Sequence, residues 1–124
     1  MAPLRMSREH FEEAVREALD MIPDDLADAI ENVAVTVEEE PTDDDLLSVG
    51  LDPEHDDLLG LYQGVPLPER GPSTYGLDLP DRIVVYRLPL LEHCTTRREL
   101  LREIRDTVVH ELGHYFGLPE EELP

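Results

Sequence analysis

The sequence predicts a single α+β domain over residues 1–124, in which helices near both ends enclose short β-strands. Apolar residues recur at helical spacing over residues 8–21 and again between residues 96 and 116. Between these segments, residues 33–37 alternate with a period of two, and residues 82–87 are rich in β-branched and aromatic side chains. A chain of 124 residues suits one domain with one modest hydrophobic core.

The first helices have recognisable boundaries. Ser7 is a typical N-cap, and Pro23 stops the first helix before a shorter one that starts at Asp24.

The last helix is predicted to start near Thr95 or Thr96, with Glu99 placed to complete a capping box. It ends near Phe116, because Gly117 can adopt the left-handed conformation that terminates helices.

The middle of the chain predicts less regular structure. Residues 38–57 are acidic and interrupted by proline and glycine, so we expect an irregular loop there. Residues 58–62 fit either a strand or a turn, and residues 65–68 fit a short extended piece. A short helical turn is expected at residues 90–93.

The composition is strongly acidic. Thirty Asp and Glu residues stand against 10 basic residues, all of them arginine, and the formal net charge is −20. Nucleic acids and anionic membranes both require a basic surface, so this balance argues against either partner. No apolar segment resembles a membrane span or a secretory signal. Cys94 is the only cysteine, which favours a cytoplasmic location because no internal disulfide can form.

The residues with the clearest chemistry lie in the last helix. His110, Glu111 and His114 form the pattern His-Glu-x-x-His. Since an α-helix turns once in about 3.6 residues, His110 and His114 lie on one face and both imidazoles can reach one metal ion. Glu111 lies about 100° further round the helix, where it can accept a proton from water instead of binding the metal. The pattern predicts a zinc site with Glu111 as general base.

A third protein ligand is needed, since two histidines alone hold zinc poorly. Gly117 lets the chain turn back, and Glu120 follows three residues later to complete His-Glu-x-x-His-x-x-Gly-x-x-Glu. Only ten residues follow His114, too few for a second ligand-bearing helix. We therefore expect Glu120 to be the third ligand, with Glu121 and Glu122 as neighbouring substitutes. The alternative is an exposed acidic turn that binds nothing.

Five further residues are weaker candidates. His93 and Cys94 precede the last helix and carry side chains that zinc accepts. Asp106 lies one turn before the first motif histidine and could orient its imidazole. Tyr86 and Tyr115 could stabilise an oxyanion. For each of them, ordinary packing or exposure is the alternative interpretation.

With this motif in place, the sequence resembles the mini-zincins, a family of small bacterial zincin-like metallopeptidase domains. The resemblance covers most of the chain and is carried by residues 11–15, 32–38, 59–64, 82–86 and 107–117, the last being the most specific. It implies a minimal zincin-like α+β domain with N-terminal helices, a small mixed β-sheet and a C-terminal helix that carries the motif. By analogy with larger zincins, it also implies that residues 82–86 form an edge strand beside the cleft, where an extended peptide would pair.

The chain departs from related patterns at two points. The mini-zincin pattern often has aspartate at the position of Glu120. Met1, Met6 and Met21 all precede the motif, so the Met-turn of metzincins has no counterpart.

The leading functional hypothesis is a zinc-dependent metallopeptidase that acts on peptides or small proteins, with His110, His114 and Glu120 as zinc ligands and Glu111 as base. The alternative is a non-catalytic domain that keeps the zincin scaffold to bind a protein or peptide, its metal site empty or serving stability alone. A homodimer is a further expectation, because small domains with thin cores often pair.

Overall fold

The structure is a computed structural model that describes residues 3–64 and 81–118. Its elements are α1 (Arg8–Leu19), α2 (Asp24–Glu31), β1 (Ala34–Glu38), α3 (Asp43–Ser48), β2 (Gly60–Gln63), β3 (Arg82–Tyr86), α4 (Arg87–His93) and α5 (Arg97–Tyr115). The predicted α+β class is confirmed. The extended piece predicted at residues 65–68 lies outside the described residues, as does Glu120. Within the described ranges, every helix is too short or too polar to cross a membrane.

In the part of the chain that the structure describes, the sheet has three strands in the order β1-β3-β2. β1 runs parallel to β3 and β2 runs antiparallel to it, so the sheet is mixed, as the resemblance implies. The expectation that residues 82–86 form an edge strand is wrong, because β3 has a hydrogen-bonded neighbour on each side. Its β-branched residues suit this central position, where both faces of the strand are buried. Among the described strands β2 is at an edge of the sheet, and it borders the candidate site.

β3 separates two clusters of buried side chains, because successive residues of a strand point to opposite faces. Ile83 and Val85 belong to the main core, whereas Val84 and Tyr86 pack with Leu61 on the other face. One stripe of each long helix completes the main core: Phe11, Ala14, Val15 and Ala18 of α1, and Leu100, Ile104, Val108 and Leu112 of α5.

The start of α5 agrees with the prediction in position and differs in detail. Thr96 is the N-cap, and its hydroxyl oxygen accepts a hydrogen bond of 3.1 Å from the Glu99 N–H. The return half of the predicted capping box is not formed. The Glu99 carboxylate instead accepts a hydrogen bond of 2.9 Å from the Thr95 hydroxyl. In a complete capping box it would accept from the backbone N–H of the N-cap residue.

The end of α5 is fixed by Gly117, as predicted. Gly117 has a φ of 80°. Its N–H donates to the His114 carbonyl at 2.9 Å, and the Leu118 N–H donates to the Gly113 carbonyl at 2.9 Å. These two bonds form a Schellman motif, so the helix stops immediately after the second motif histidine.

The loop expected at residues 38–57 contains a short helix, α3, and that part of the prediction is wrong. Thr42 and Asp45 form a complete capping box, each side chain accepting from the other's backbone N–H at 3.0 Å. Gly50, with a φ of 78°, closes the helix. The Leu51 N–H then bonds the Leu46 carbonyl at 2.9 Å. These caps stabilise a helix of six residues that composition alone does not indicate.

A half-buried arginine, Arg87, ties the N-terminal segment to the sheet. The Arg87 guanidinium donates to the Glu39 carboxylate, with Nε 2.9 Å from Oε2, and to the Met6 carbonyl at 2.7 Å. The guanidinium of Arg8 reaches the same carboxylate at 3.2 Å. Hydrogen bonding to Arg87, reinforced by the charges of both arginines, holds the pKa of Glu39 below its ordinary value of 4.5.

We predict that Glu39→Gln lowers the free energy of unfolding at pH 7 by up to about 1 kcal/mol, the range for a partly exposed ion pair. Since the pKa of Glu39 is depressed in the folded state, its contribution is present above pH 4.5 and is lost as the pH falls through the folded pKa. The difference between variant and wild type in urea unfolding should therefore shrink from pH 7 to pH 3. Glu40→Gln is the matched control, and an equal loss there would contradict a specific role for Glu39.

Candidate metal centre

The three motif residues converge on one point of α5. One potential ligand atom from each of His110, Glu111 and His114 lies within 4.8 Å of the other two. The imidazole rings meet edge to face, with centroids 5.4 Å apart and an angle of 78° between their planes. Both histidines are half-buried and Glu111 is buried, with 8% of its surface exposed. The predicted spacing on one helical face is therefore realised in a sheltered position.

The Glu111 carboxylate is held by the backbone of β2. The Tyr62 N–H donates to Glu111 Oε1 at 2.8 Å. Alternate residues of an antiparallel strand bond to the neighbouring strand, and the Leu59 carbonyl already accepts from the Tyr86 N–H at 3.0 Å. Tyr62 consequently turns its N–H away from β3 and towards α5. Because a backbone donor cannot rotate as a side chain can, this bond fixes the orientation of the carboxylate.

Gly60 permits the close approach of β2 to α5. A Cβ atom at this position would lie 2.5 Å from Thr107 Cγ2 and 3.0 Å from the Val84 carbonyl oxygen. The first of these distances is shorter than any tolerated carbon–carbon contact, so a larger residue requires the strand or the helix to move. Gly60 is therefore needed for spacing.

The motif lines a cleft with two lobes that have Leu58, Gly60, His110 and Glu111 in common. The larger lobe encloses about 570 Å³ and is also lined by Val49, Leu51, Leu61, Tyr62 and His114. The smaller lobe encloses about 300 Å³ and is also lined by Leu59, Asp106 and Thr107. An extended ligand that occupies both lobes would pass directly over Glu111.

The donor set fits a zinc ion. Imidazole nitrogens and carboxylate oxygens are the ligands that catalytic zinc sites use, and two histidines one helical turn apart are a common arrangement of them. In the described ranges, His110, Glu111 and His114 are the only group of this kind. The structure thus provides a potential metal site where the sequence predicts one.

Comparison with known proteins agrees with this geometry. Residues 30–124 match the model of a family described as zincin-like metallopeptidases. The chain belongs to this family. It is also similar to the solved structure of a conserved hypothetical protein from Thermus thermophilus, with 27% sequence identity and a TM-score of 0.58. That similarity covers 90% of this chain and 94% of the other. No curated protein matches the chain.

Tyr62 is the member of this zincin-like site that the sequence prediction missed. Its N–H orients Glu111, its ring packs edge to face on Tyr115 with centroids 6.0 Å apart, and its hydroxyl donates to Asp81 at 2.7 Å. The sequence carries one signal, the glycine at position 60 within a run that fits a strand or a turn. A glycine in a strand often marks a close backbone approach.

Two of the weaker candidates lie at the far end of α5 from the site. Cys94 is fully buried in the main core, and burial raises the pKa of its thiol to about 11. His93 is exposed at the end of α4. With a rise of 1.5 Å per residue, α5 separates both from His110 by about 20 Å. Neither contributes to the motif site.

The remaining candidates are held elsewhere or serve packing. The Tyr86 hydroxyl is buried and donates to Asp45 at 2.9 Å, and burial followed by this carboxylate raises its pKa. Asp106 accepts hydrogen bonds from the Arg105 guanidinium at 3.0 and 2.9 Å. Tyr115 is buried against the ring of Tyr62. The structure therefore supports no oxyanion role for Tyr86, and it gives Asp106 an arginine partner in place of the motif histidine.

We predict that Gly60→Ala separates β2 from α5 and costs about 1–3 kcal/mol of unfolding free energy, the usual range for overpacking. The Tyr62–Glu111 hydrogen bond should lengthen, so the Tyr62 amide should exchange with deuterium faster than in wild type. Since serine lacks the Cγ2 atom that the new Cβ meets, Thr107→Ser in the same chain should recover part of both effects. Unchanged stability and amide protection in the single variant would show that β2 does not pack closely against α5.

Proposed function

We propose that this chain is a zinc-dependent metallopeptidase that hydrolyses peptide bonds in peptides or small proteins. The observation that best supports the proposal is the meeting of two histidines and a buried glutamate in a cleft, in a chain of the zincin-like metallopeptidase family. A cleft with two lobes that share His110 and Glu111 suits an extended polypeptide.

In this proposal His110 and His114 bind zinc together with Glu120. Three protein ligands are typical of catalytic zinc, the remaining position being left for water or substrate. Bound zinc would supply Lewis-acid chemistry, lowering the pKa of water and polarising the scissile carbonyl.

Glu111 acts as the general base. Its carboxylate lies beside the histidine pair in the cleft, and the Tyr62 N–H holds Oε1. It accepts the proton of the water that attacks the carbonyl carbon and then donates that proton to the leaving amine nitrogen. A carboxylate fixed before substrate arrives loses little rotational freedom in the reaction, which favours proton transfer.

The peptide is proposed to lie along β2. This strand borders the cleft, and Gly60 turns its main-chain N–H and C=O towards it, as Tyr62 does. The Tyr62 N–H already bonds Glu111, so backbone pairing with substrate centres on Gly60. We therefore propose β2, in place of residues 82–86, as the strand that pairs with the substrate peptide.

The general-base role predicts that Glu111→Gln keeps zinc and loses at least about 100-fold in kcat/KM, since general-base catalysis contributes about 10²–10⁴. Zinc content is measured by metal analysis after zinc-replete purification, and activity is measured on a quenched fluorescent peptide library. Glu103→Gln, an acid on the same helix outside the cleft, is the matched control. Bound zinc with no hydrolysis in wild type would favour the non-catalytic or structural alternative, and equal activity in Glu111→Gln would exclude this mechanism.

The proposed ligand set predicts that Glu120→Ala weakens zinc binding by more than about 100-fold, because even residues that only support a ligand are worth about 10–100-fold. Affinity is measured by competition with a chromogenic chelator. Glu121→Ala and Glu122→Ala are matched controls in the same segment and should retain wild-type affinity. A loss at either control in place of Glu120 would reassign the ligand, and retention in all three would leave zinc without a ligand from this acidic segment.

A further inference from the structure

We propose that the larger lobe of the cleft selects substrates, seating an aliphatic side chain next to the scissile bond in a peptide whose neighbouring residues are basic. This inference rests on the proposed peptidase function. It concerns which peptides the site accepts, and it makes Val49 and Leu51 specificity-determining residues.

The first argument is the position of the lobe. It shares Leu58, Gly60, His110 and Glu111 with the smaller lobe, so it begins at the motif itself. A side chain in the larger lobe therefore belongs to a residue adjoining the bond that Glu111 faces. In this proposal the smaller lobe takes the residue on the other side of that bond.

The second argument is the chemistry of the walls. Four aliphatic side chains line the larger lobe: Val49, Leu51, Leu58 and Leu61. Val49 is 45% exposed, an apolar group that water solvates poorly. The polar side chains that line the lobe are those of Tyr62 and of the motif. Burial of an aliphatic side chain against this wall is favourable. A charged side chain would lose its hydration there without gaining a polar partner from the wall.

The third argument is that this wall is formed in advance. Gly50 has a φ of 78°, and the Leu51 N–H bonds the Leu46 carbonyl, which folds the chain after α3 back on itself. Val49 and Leu51 lie on either side of this turn and both reach the lobe. α3 is anchored to the sheet by the Tyr86–Asp45 hydrogen bond. A pre-formed wall loses little conformational entropy when ligand binds.

The fourth argument is charge. The segment that supplies Val49 and Leu51, residues 43–57, contains no lysine or arginine and seven acids: Asp43, Asp44, Asp45, Asp52, Glu54, Asp56 and Asp57. Within it, Asp52 pairs with the exposed His55 at 2.6 Å. This segment adjoins the larger lobe through Val49 and Leu51, so its negative charge attracts lysine or arginine on either side of the seated residue.

The binding preference is tested on zinc-loaded Glu111→Gln, which keeps the larger lobe and binds peptides without cleaving them. The probes are fluorescein-labelled ten-residue peptides that differ at one central position, leucine or aspartate, each flanked by lysine or by serine. Fluorescence anisotropy should give at least about tenfold tighter binding for leucine, since one pocket contact contributes about that much discrimination. Lysine flanks should strengthen binding at 20 mM salt and lose this advantage at 500 mM. Equal binding of leucine and aspartate peptides would overturn the proposal.

The role of the larger lobe in this preference is tested with a matched pair of variants. Val49→Asn should reduce the preference for leucine about tenfold, whereas Leu47→Asn should leave it unchanged. Leu47 belongs to α3 and is 61% exposed, but it does not line the lobe. An equal effect in both variants would mean that the lobe does not seat the side chain.

Cleavage of a peptide library by the zinc-loaded wild type then separates the two proposals. We expect an aliphatic residue on one fixed side of the cut bond and basic residues nearby. Cleavage at other sites would overturn the inference and leave the peptidase function standing. Selective binding without any cleavage would support the inferred binding preference and contradict the peptidase function.

Discussion

The site depends on the close contact between the edge strand β2 and the helix α5. Gly60 lets the strand reach Thr107, and at that separation the Tyr62 N–H lies 2.8 Å from the Glu111 carboxylate. The same contact encloses the cleft, because β2 forms one wall and α5 the other. A wider separation would leave the histidine pair on an exposed helix and would allow the glutamate to rotate. The lack of a side chain at Gly60 therefore permits the strand–helix separation that forms the cleft.

α5 serves both the core and the site, which suits a domain of this size. Leu100, Ile104, Val108 and Leu112 recur at helical spacing and pack in the main core. The motif residues project from an adjacent face of the last turns, and the Schellman motif at Gly117 ends the helix immediately after them. The apolar stripe continues to Leu112, within the motif, so packing of the stripe in the core fixes the position of the site residues, which are not themselves part of the core. Changes to their polar ends should act on chemistry more than on folding.

The parts of the protein that could be predicted from sequence are those encoded locally. The spacing of His110 and His114 follows from helical geometry, and Gly117 carries its own terminating signal, so both were predicted correctly. The role of Tyr62 depends on a backbone group and on contact between residues 49 apart, which no local pattern specifies. The acidic, proline-containing composition of residues 38–57 predicts a loop, whereas the capping residues Thr42 and Asp45 indicate the helix α3 that the structure contains. The central position of β3 also required the pairing order, which is a property of the whole fold.

The distribution of arginine shows which basic groups compete with the acids next to the cleft. Arg8 and Arg87 are engaged by Glu39, and Arg97 joins α5 to α1 through Glu17 at 2.6 Å. Arg98 lies twelve residues before His110, about 18 Å along the helix axis, which is more than twice the Debye length of about 8 Å at physiological ionic strength. Arg105 lies only about 8 Å from His110 along the axis, but its guanidinium bonds the carboxylate of Asp106, a residue that lines the smaller lobe. The segment of residues 43–57, which supplies Val49 and Leu51 to the larger lobe, carries acids and no arginine. The attraction of a basic peptide therefore depends on the acids that adjoin the larger lobe, and it does not require the arginines to be absent.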